Sequence, residues 1–327
     1  MNFPTVLKLT LLGASLSLCG LAAAQTTAPD PSAMIDALNG TFGKHAGKRA
    51  SHAKGFCAAG EFIPAALQGQ FVKSPLFEQK KLDATLRFSI AGGNPAAGDK
   101  SRSVRGLAAR ITGGGETYDL LLISEPVFFA ANPASFVSFL QARVPDPVTR
   151  KPDPAKIAAH NAVYPEGKNQ PALLASHAAP YSYSTTPYFS TNAFVFQAAD
   201  KTRRHARIVA EPGDGTRYLS DDEEKSLPDL FLEDELKSRL AARPVEFTLY
   251  AQLPAPGDSL TDPSQPWAGK ERVSLGKLRV TGLAGQNSCD GIVFMPVTLP
   301  AGITPSDDPI LAARAPAYSV SLGRRSN

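Results

Sequence analysis

Two patterns of apolar positions divide the chain. Met34, Ile35, Leu38 and Phe42 recur at helical spacing behind Asp30 and Pro31, which suit a cap and a first turn, so Pro29 to Phe42 reads as a short amphipathic helix. From Phe56 the pattern changes to short β-rich or apolar runs: Phe56 to Phe62, Ala84 to Ile90, Leu107 to Ile111 and Tyr118 to Ile123. Clusters such as Gly92-Gly93-Asn94-Pro95 and Gly113-Gly114-Gly115 separate them, as hairpin loops separate strands. The triple glycine lies between two strand-like runs and opens no helix, so it reads as a hairpin loop and not a phosphate cradle.

Asn132 to Val144 and Asp153 to Ala162 then read as helices, followed by a proline-rich passage to Tyr188. Strands return at Asn192 to Gln197, Ala206 to Ala210, Val245 to Leu253 and Leu275 to Val280. Asp221-Asp222-Glu223-Glu224 suits a solvated helix start. Leu227, Phe231, Leu232, Leu236 and Leu240 share one face of an expected helix over Leu227 to Leu240, a stripe that core packing explains. Regular short strands with such spacers point to an antiparallel barrel or sandwich with helices around it, an α+β fold. There is no internal repeat and no low-complexity linker, so residues 25–327 read as one domain.

Composition narrows the class. With 43% hydrophobic and 20% charged residues over 327 positions, the chain can bury a sizeable core. The net charge of +4 is spread along the sequence, so nothing recommends nucleic acid as a partner. Residues 1–24 carry one charge (Lys8), an apolar run from Leu9 to Leu21 and the sequence Ala22-Ala23-Ala24, the layout of a secretory signal too short to span a bilayer. Export to a periplasm is the expectation. Cys57 and Cys289 then remain, 232 residues apart, and their spacing suits one disulfide or two buried thiols equally.

The chain has no G-x-S-x-G, HExxH, P-loop, helix-opening GxGxxG or CxxCH motif, and its five histidines form no i,i+3 or i,i+4 pair. Arg314-Ala315-Pro316-Ala317-Tyr318 offers different chemistry. On a helix, Arg314 and Tyr318 share a face. A phenol that normally titrates near ~10 is favoured as phenolate beside a buried cation, and phenolate is a hard ligand for ferric iron.

Other stretches join it in one family pattern. Arg49-Ala50-Ser51-His52-Ala53-Lys54-Gly55 resembles the R-x-x-H-A-K-G segment of haem catalases, and Arg87-Phe88-Ser89 their R-F-S strand. Arg102-Ser103-Val104-Arg105-Gly106 is similar to their R-x-x-R-G, and Pro126-Val127-Phe128-Phe129 with Phe136 to their aromatic segment. Leu275-Gly276-Lys277-Leu278, Phe294-Met295-Pro296 and Pro300-Ala301-Gly302-Ile303 resemble the run before the R-x-x-x-Y that Arg314 and Tyr318 match. The resemblance covers the chain from about residue 30 to the end.

It implies a catalase-like antiparallel β-barrel core and one haem b. By that resemblance Tyr318 is the iron ligand, Arg314 holds it ionised, and His52 is the acid–base oriented by Ser89. Arg49, Arg87 and Arg325 pair with the haem propionates, while Phe128 and Phe136 wall the pocket. Two departures matter. Ile123 stands where catalases place an asparagine that orients peroxide, three residues before Pro126. Only nine residues follow Tyr318, so the C-terminal helical region of full catalases is not expected. Both features resemble the smaller catalase-related peroxidases. The resemblance implies hydrogen peroxide and a small organic reductant as substrates, weak catalase activity, and a monomer or small homo-oligomer. Ser51, a hydroxyl before the histidine, keeps a fatty-acid hydroperoxide isomerase of the allene oxide synthase type as an alternative. A periplasmic haem carrier or sensor is a third reading, but it leaves His52 and Ser89 without a purpose.

Overall fold

Alternation of side chains along a strand decides which face of a sheet each residue meets. In this computed structural model, which describes Met1 and residues 30–326, the expected signal at 1–24 falls almost wholly outside the described residues. The elements run in the order α1 (Pro31–Phe42), β1 (Gly55–Pro64), β2 (Leu82–Ile90), β3 (Arg105–Gly113), β4 (Glu116–Ile123), α2 (Pro133–Gln141), α3 (Pro154–Val163), α4 (Asn169–Ala175) and β5 (Tyr188–Phe189). Then come β6 (Phe194–Gln197), β7 (Arg203–Pro212), α5 (Asp221–Ser226), α6 (Leu232–Ala242), β8 (Val245–Gln252), β9 (Arg272–Leu283), α7 (Asn287–Asp290), β10 (Ile303–Pro305) and α8 (Pro309–Ser326).

Every pairing is antiparallel, and β7 pairs with β8 to close β1-β2-β3-β4-β5-β7-β8-β9 into a ring, with β6 and β10 as an extension. Closure removes the exposed edges that an open sheet presents. The inner faces form the main core: Phe56, Ala58 and Phe62 from β1, Leu86 and Phe88 from β2, Leu107 and Ala109 from β3, Tyr118 and Leu120 from β4. A second core lies outside the ring, where Met34, Ile35 and Leu38 of α1 meet Phe136 and Phe139 of α2 and Ile310 and Ala317 of α8. Among the described residues no helix is long and apolar enough to cross a membrane.

The expected helix over Leu227 to Leu240 starts later, at Leu232, and a separate short helix, α5, ends just before Leu227. Leu227 ends α5 with extended backbone (ψ 151°), and Pro228 follows it. Proline disfavours helical backbone in the residue before it, so the apolar spacing runs on across a break. α6 restarts at Leu232, with Asp99 Oδ2 accepting from the backbone N–H groups of Phe231 (2.7 Å) and Leu232 (2.9 Å). Asp99 Oδ1 also takes Lys54 Nζ at 2.6 Å, and Lys54 donates again to the Ala97 carbonyl at 2.7 Å. One buried carboxylate therefore starts a helix and anchors the loop that carries His52. Asp99→Ala strands Lys54 and uncaps α6, and is expected to cost about 2–4 kcal/mol in chemical denaturation.

Candidate active site

The outward faces of β1 to β4 build one wall of the site. Register aligns Gly55, Ser89, Gly106 and Ile123 in one rung across the four strands, and Cys57, Arg87, Ala108 and Leu121 in the next. Both glycines are required by close approach. A methyl group on Gly106 would lie 2.6 Å from Ser89 Oγ and 2.8 Å from His52 Nδ1; one on Gly55 would lie 2.4 Å from the Phe88 carbonyl oxygen and 2.7 Å from the Arg87 guanidinium carbon. The bare backbone of Gly106 makes the floor on which the imidazole and the serine hydroxyl meet, with Nδ1 2.9 Å from Ser89 Oγ.

His52 adopts left-handed backbone (φ 54°), which costs a non-glycine residue on the order of 1 kcal/mol. The neighbouring backbone holds it there. Ala53 N–H donates to the Gly92 carbonyl at 3.0 Å and Ile90 N–H to the Lys54 carbonyl at 3.1 Å, beside the Lys54–Asp99 pair. Burial, reinforced by the positive charges of Arg87, Arg314 and Arg49, lowers the His52 pKa from 6.5 to about 3. The ring is thus neutral at ordinary pH, a base and not a cation. Among the described residues its Nε2 makes no hydrogen bond, which leaves one nitrogen available for proton transfer.

The opposite wall is helical. Arg314 donates to the Tyr318 phenol oxygen from both Nε (3.1 Å) and Nη2 (2.8 Å), the reach expected of an i,i+4 pair. Its third edge donates through Nη1 to Asn192 Oδ1 at 2.8 Å, and Asn192 Nδ2 donates to Asp308 Oδ2 at 2.6 Å. Asp308 Oδ1 accepts from the backbone N–H groups of Ile310 (2.8 Å) and Leu311 (3.2 Å), capping α8. Burial raises the Asp308 pKa above the usual carboxylate range. Asn192 and Asp308 were not expected from the sequence, since neither belongs to a recognisable motif.

His52, Ser89, Arg314, Arg49, Arg87, Phe128, Phe136, Arg325 and Tyr318 all line one cavity of about 660 Å³, together with Ile123 and Ser51. Phe128, Phe129, Phe136 and Phe139 form a contiguous aromatic wall, with ring centroids 4.3–6.2 Å apart. At one edge a second space of about 280 Å³ is lined by Lys48, Arg49, Arg87 and Arg325 with Asp290 as its acid. None of Arg49, Arg87 and Arg325 forms an ion pair among the described residues. Arg87 is 5% exposed, and its Nε has no partner. Burial first, then repulsion from Arg87 and Arg325, lowers the Arg49 pKa to about 10. Three arginines that form no ion pair, one of them buried, outnumber the single acid beside a large apolar cavity and fit a flat apolar ligand carrying carboxylates at one edge, as haem does.

Neither neighbour of Ile123 replaces the missing asparagine. Ser124 Oγ accepts from the Arg105 N–H at 3.0 Å, and Glu125 takes His177 Nε2 at 3.2 Å. Both are committed elsewhere.

A family model described as Catalase matches residues 33–325. The chain is 37% identical over 303 residues to a catalase-related peroxidase of Synechococcus elongatus, covering 91% of this chain and 89% of the relative. It is 34% identical over 299 residues to a catalase-related peroxidase of Mycolicibacterium paratuberculosis, covering 90% and 94%. A fungal catalase superposes with a TM-score of 0.77 at 20% identity, over 86% of this chain and 60% of that one, which shows the shared fold. The chain belongs to the catalase family, a family of oxidoreductase enzymes.

Gly106→Ala tests the floor of the site. Overpacking against His52 and Ser89 is expected to cost about 1–3 kcal/mol. In NMR titration of the unsubstituted protein, His52 is expected to protonate near pH 3, and in Gly106→Ala nearer its ordinary value of 6.5. Because the folded pKa lies below the unfolded one, the neutral ring's contribution to stability is complete above about 6.5 and is lost as pH falls toward 3. His52→Ala removes that part of the acid slope.

Proposed function

We propose that the chain is a haem peroxidase that reduces hydrogen peroxide to water at the expense of a small organic donor. The observation that carries this reading is the meeting, in one cavity, of a neutral histidine, an arginine-clamped phenol and an unpaired arginine trio. The homology to two catalase-related peroxidases supports it. In this reading the group bound is haem b, with Tyr318 as iron ligand and Arg49, Arg87 and Arg325 as partners of its propionates. Bound haem supplies the redox chemistry between peroxide and donor.

The chain's own residues handle protons and charge. With Nδ1 donating to Ser89 Oγ, His52 Nε2 is the acceptor; it takes a proton from peroxide and returns it to the departing oxygen, which leaves as water. Two guanidinium N–H groups on one phenol oxygen fix the direction in which Tyr318 presents that oxygen to the cavity. The aromatic wall keeps the surroundings apolar, so these charges act at low dielectric. Ile123 offers no hydrogen bond to a second peroxide acting as reductant, which disfavours disproportionation. Peroxidase turnover tolerates that loss because its reductant need not bind beside Ile123.

Residues 1–24 read as an export signal, and the Cys57–Cys289 disulfide suits the oxidising compartment to which such a signal leads. Ser51 lines the cavity beside His52, which keeps hydroperoxide isomerisation as a second reading. Turnover of a fatty-acid hydroperoxide without an electron donor, exceeding that of hydrogen peroxide with one, would favour it.

The haem-loaded protein is expected to show a high-spin ferric spectrum with phenolate character that Tyr318→Phe abolishes, and to oxidise aromatic donors while evolving little oxygen. Full catalase rates with no donor oxidation would overturn the reading. His52→Ala should retain haem and lose about 10²–10⁴ in its rate with peroxide, measured by stopped flow. Ile123→Asn is expected to raise oxygen evolution in an oxygen electrode without loss of haem.

A further inference from the structure

The segment between β9 and β10 crosses the outer face of the barrel and walls the basic edge of the cavity. Its middle, residues 287–292, contains the single turn of α7, too short to hold itself together. The flanks are tied to the barrel by backbone and side chain. Ala284 N–H donates to the Cys57 carbonyl at 2.9 Å, Gln286 Nε2 to the Gly55 carbonyl at 3.0 Å, and Met295 N–H to Asp119 Oδ2 at 2.8 Å.

Arg110 Nη2 also holds the Val293 carbonyl at 3.0 Å, and within residues 287–292 two links to the rest of the protein remain among the described residues, besides apolar packing of Cys289 and Ile292 near Ala108 and Leu121. One is the disulfide from Cys289 to Cys57, both 0% exposed, with Cα atoms 5.7 Å apart. The other is Arg49, whose Nη2 reaches the carbonyls of Cys289 (3.3 Å), Asp290 (3.3 Å) and Ile292 (2.9 Å). On the barrel side, Cys57 stands opposite Arg87 in the β1–β2 register. One covalent bond therefore joins the strand position beside Arg87 to the carbonyl turn that aims Arg49.

We infer that the Cys57–Cys289 disulfide is a positioning element for the anion cradle: it holds the three carbonyls that orient Arg49 and so sets how tightly the dianionic edge of the cofactor is retained. An arginine held by neutral carbonyls keeps its charge uncommitted while its direction is fixed. If the turn is released, Arg49 loses that direction and a desolvated cation gains freedom to turn toward solvent. The inference rests on the proposed pairing of Arg49 with a haem propionate.

The experiment compares four haem-loaded proteins: unsubstituted, Arg49→Ala, Cys57→Ala/Cys289→Ala, and the triple variant. Transfer of haem to an excess of a haem-scavenging apoprotein is followed at the Soret band, and apoprotein unfolding midpoints are measured beside it. Arg49→Ala and the disulfide-free variant should each release haem faster, by about tenfold, the scale of one charge-assisted hydrogen bond. The triple variant should be no faster than Arg49→Ala alone. Unchanged release from the disulfide-free variant, or effects that multiply in the triple variant, would overturn the inference while leaving the propionate pairing intact. Unchanged release from Arg49→Ala would instead remove the pairing, and the inference with it. If the double variant does not fold, unsubstituted protein refolded with its thiols reduced and blocked by methylation gives the same comparison.

Discussion

A single guanidinium holds the helical half of the site together. Arg314 spends two N–H groups on the Tyr318 oxygen and a third on Asn192, and Asn192 passes the contact to Asp308 at the start of α8. A part-buried cation left short of acceptors is costly, so each of these partners has to be in place at once. The arrangement links the phenol's orientation to the position of its own helix. Movement of α8 along its axis, or rotation about it, would break the hydrogen bonds that Arg314 and Asp308 make to Asn192. Pro316 lies between Arg314 and Tyr318 and removes one backbone hydrogen bond from the helix interior. The side-chain chain from Tyr318 to Asp308 spans that weak point.

The barrel half depends on a division between two faces of the same strands. Inward, β1 to β4 supply large apolar residues to a closed core; outward they supply Ser89, Arg87, two glycines and Ile123. A core packed on the inside leaves the outer rungs little room to shift, so Gly106 and Ser89 present a rigid floor to His52. The strained backbone at His52 is tolerated because Lys54 and Asp99 pin the loop to the start of α6.

The strands β1 to β4 and the pair Arg314–Tyr318 were legible in the sequence because each depends on local spacing: short apolar runs between turn residues, and four residues on a helix. The site's nine candidate residues came from a resemblance, and all nine line the same cavity. What escaped was set by distance in the chain. Asn192 lies 122 residues from Arg314, in a loop whose polar composition looks like any other. Gly106 was visible only as a letter in R-x-x-R-G; its purpose is the imidazole and hydroxyl stacked over it. The cysteine pairing was undecidable because 232 residues of chain separate two residues on adjacent surfaces. The helix over Leu227 to Leu240 was misread because apolar spacing carries no record of a break, although Pro228 marked one. Lys54 lay within the motif, yet its role is to hold the loop.

The two halves are coupled through charge. Arg87 and Arg49 belong to the cradle at the cavity's edge, and both help to lower the pKa of His52. The same positive field that invites an anionic edge therefore keeps the base free of its proton. A dianion in the cradle would cancel much of that field and ease protonation of the ring. Burial, however, is the larger cause of the shift, and it does not depend on the cradle's occupant. His52 thus stays a neutral base at ordinary pH whether or not the arginines have found their anion. Burial of the ring, more than the arginines, is what makes the residue available for proton transfer.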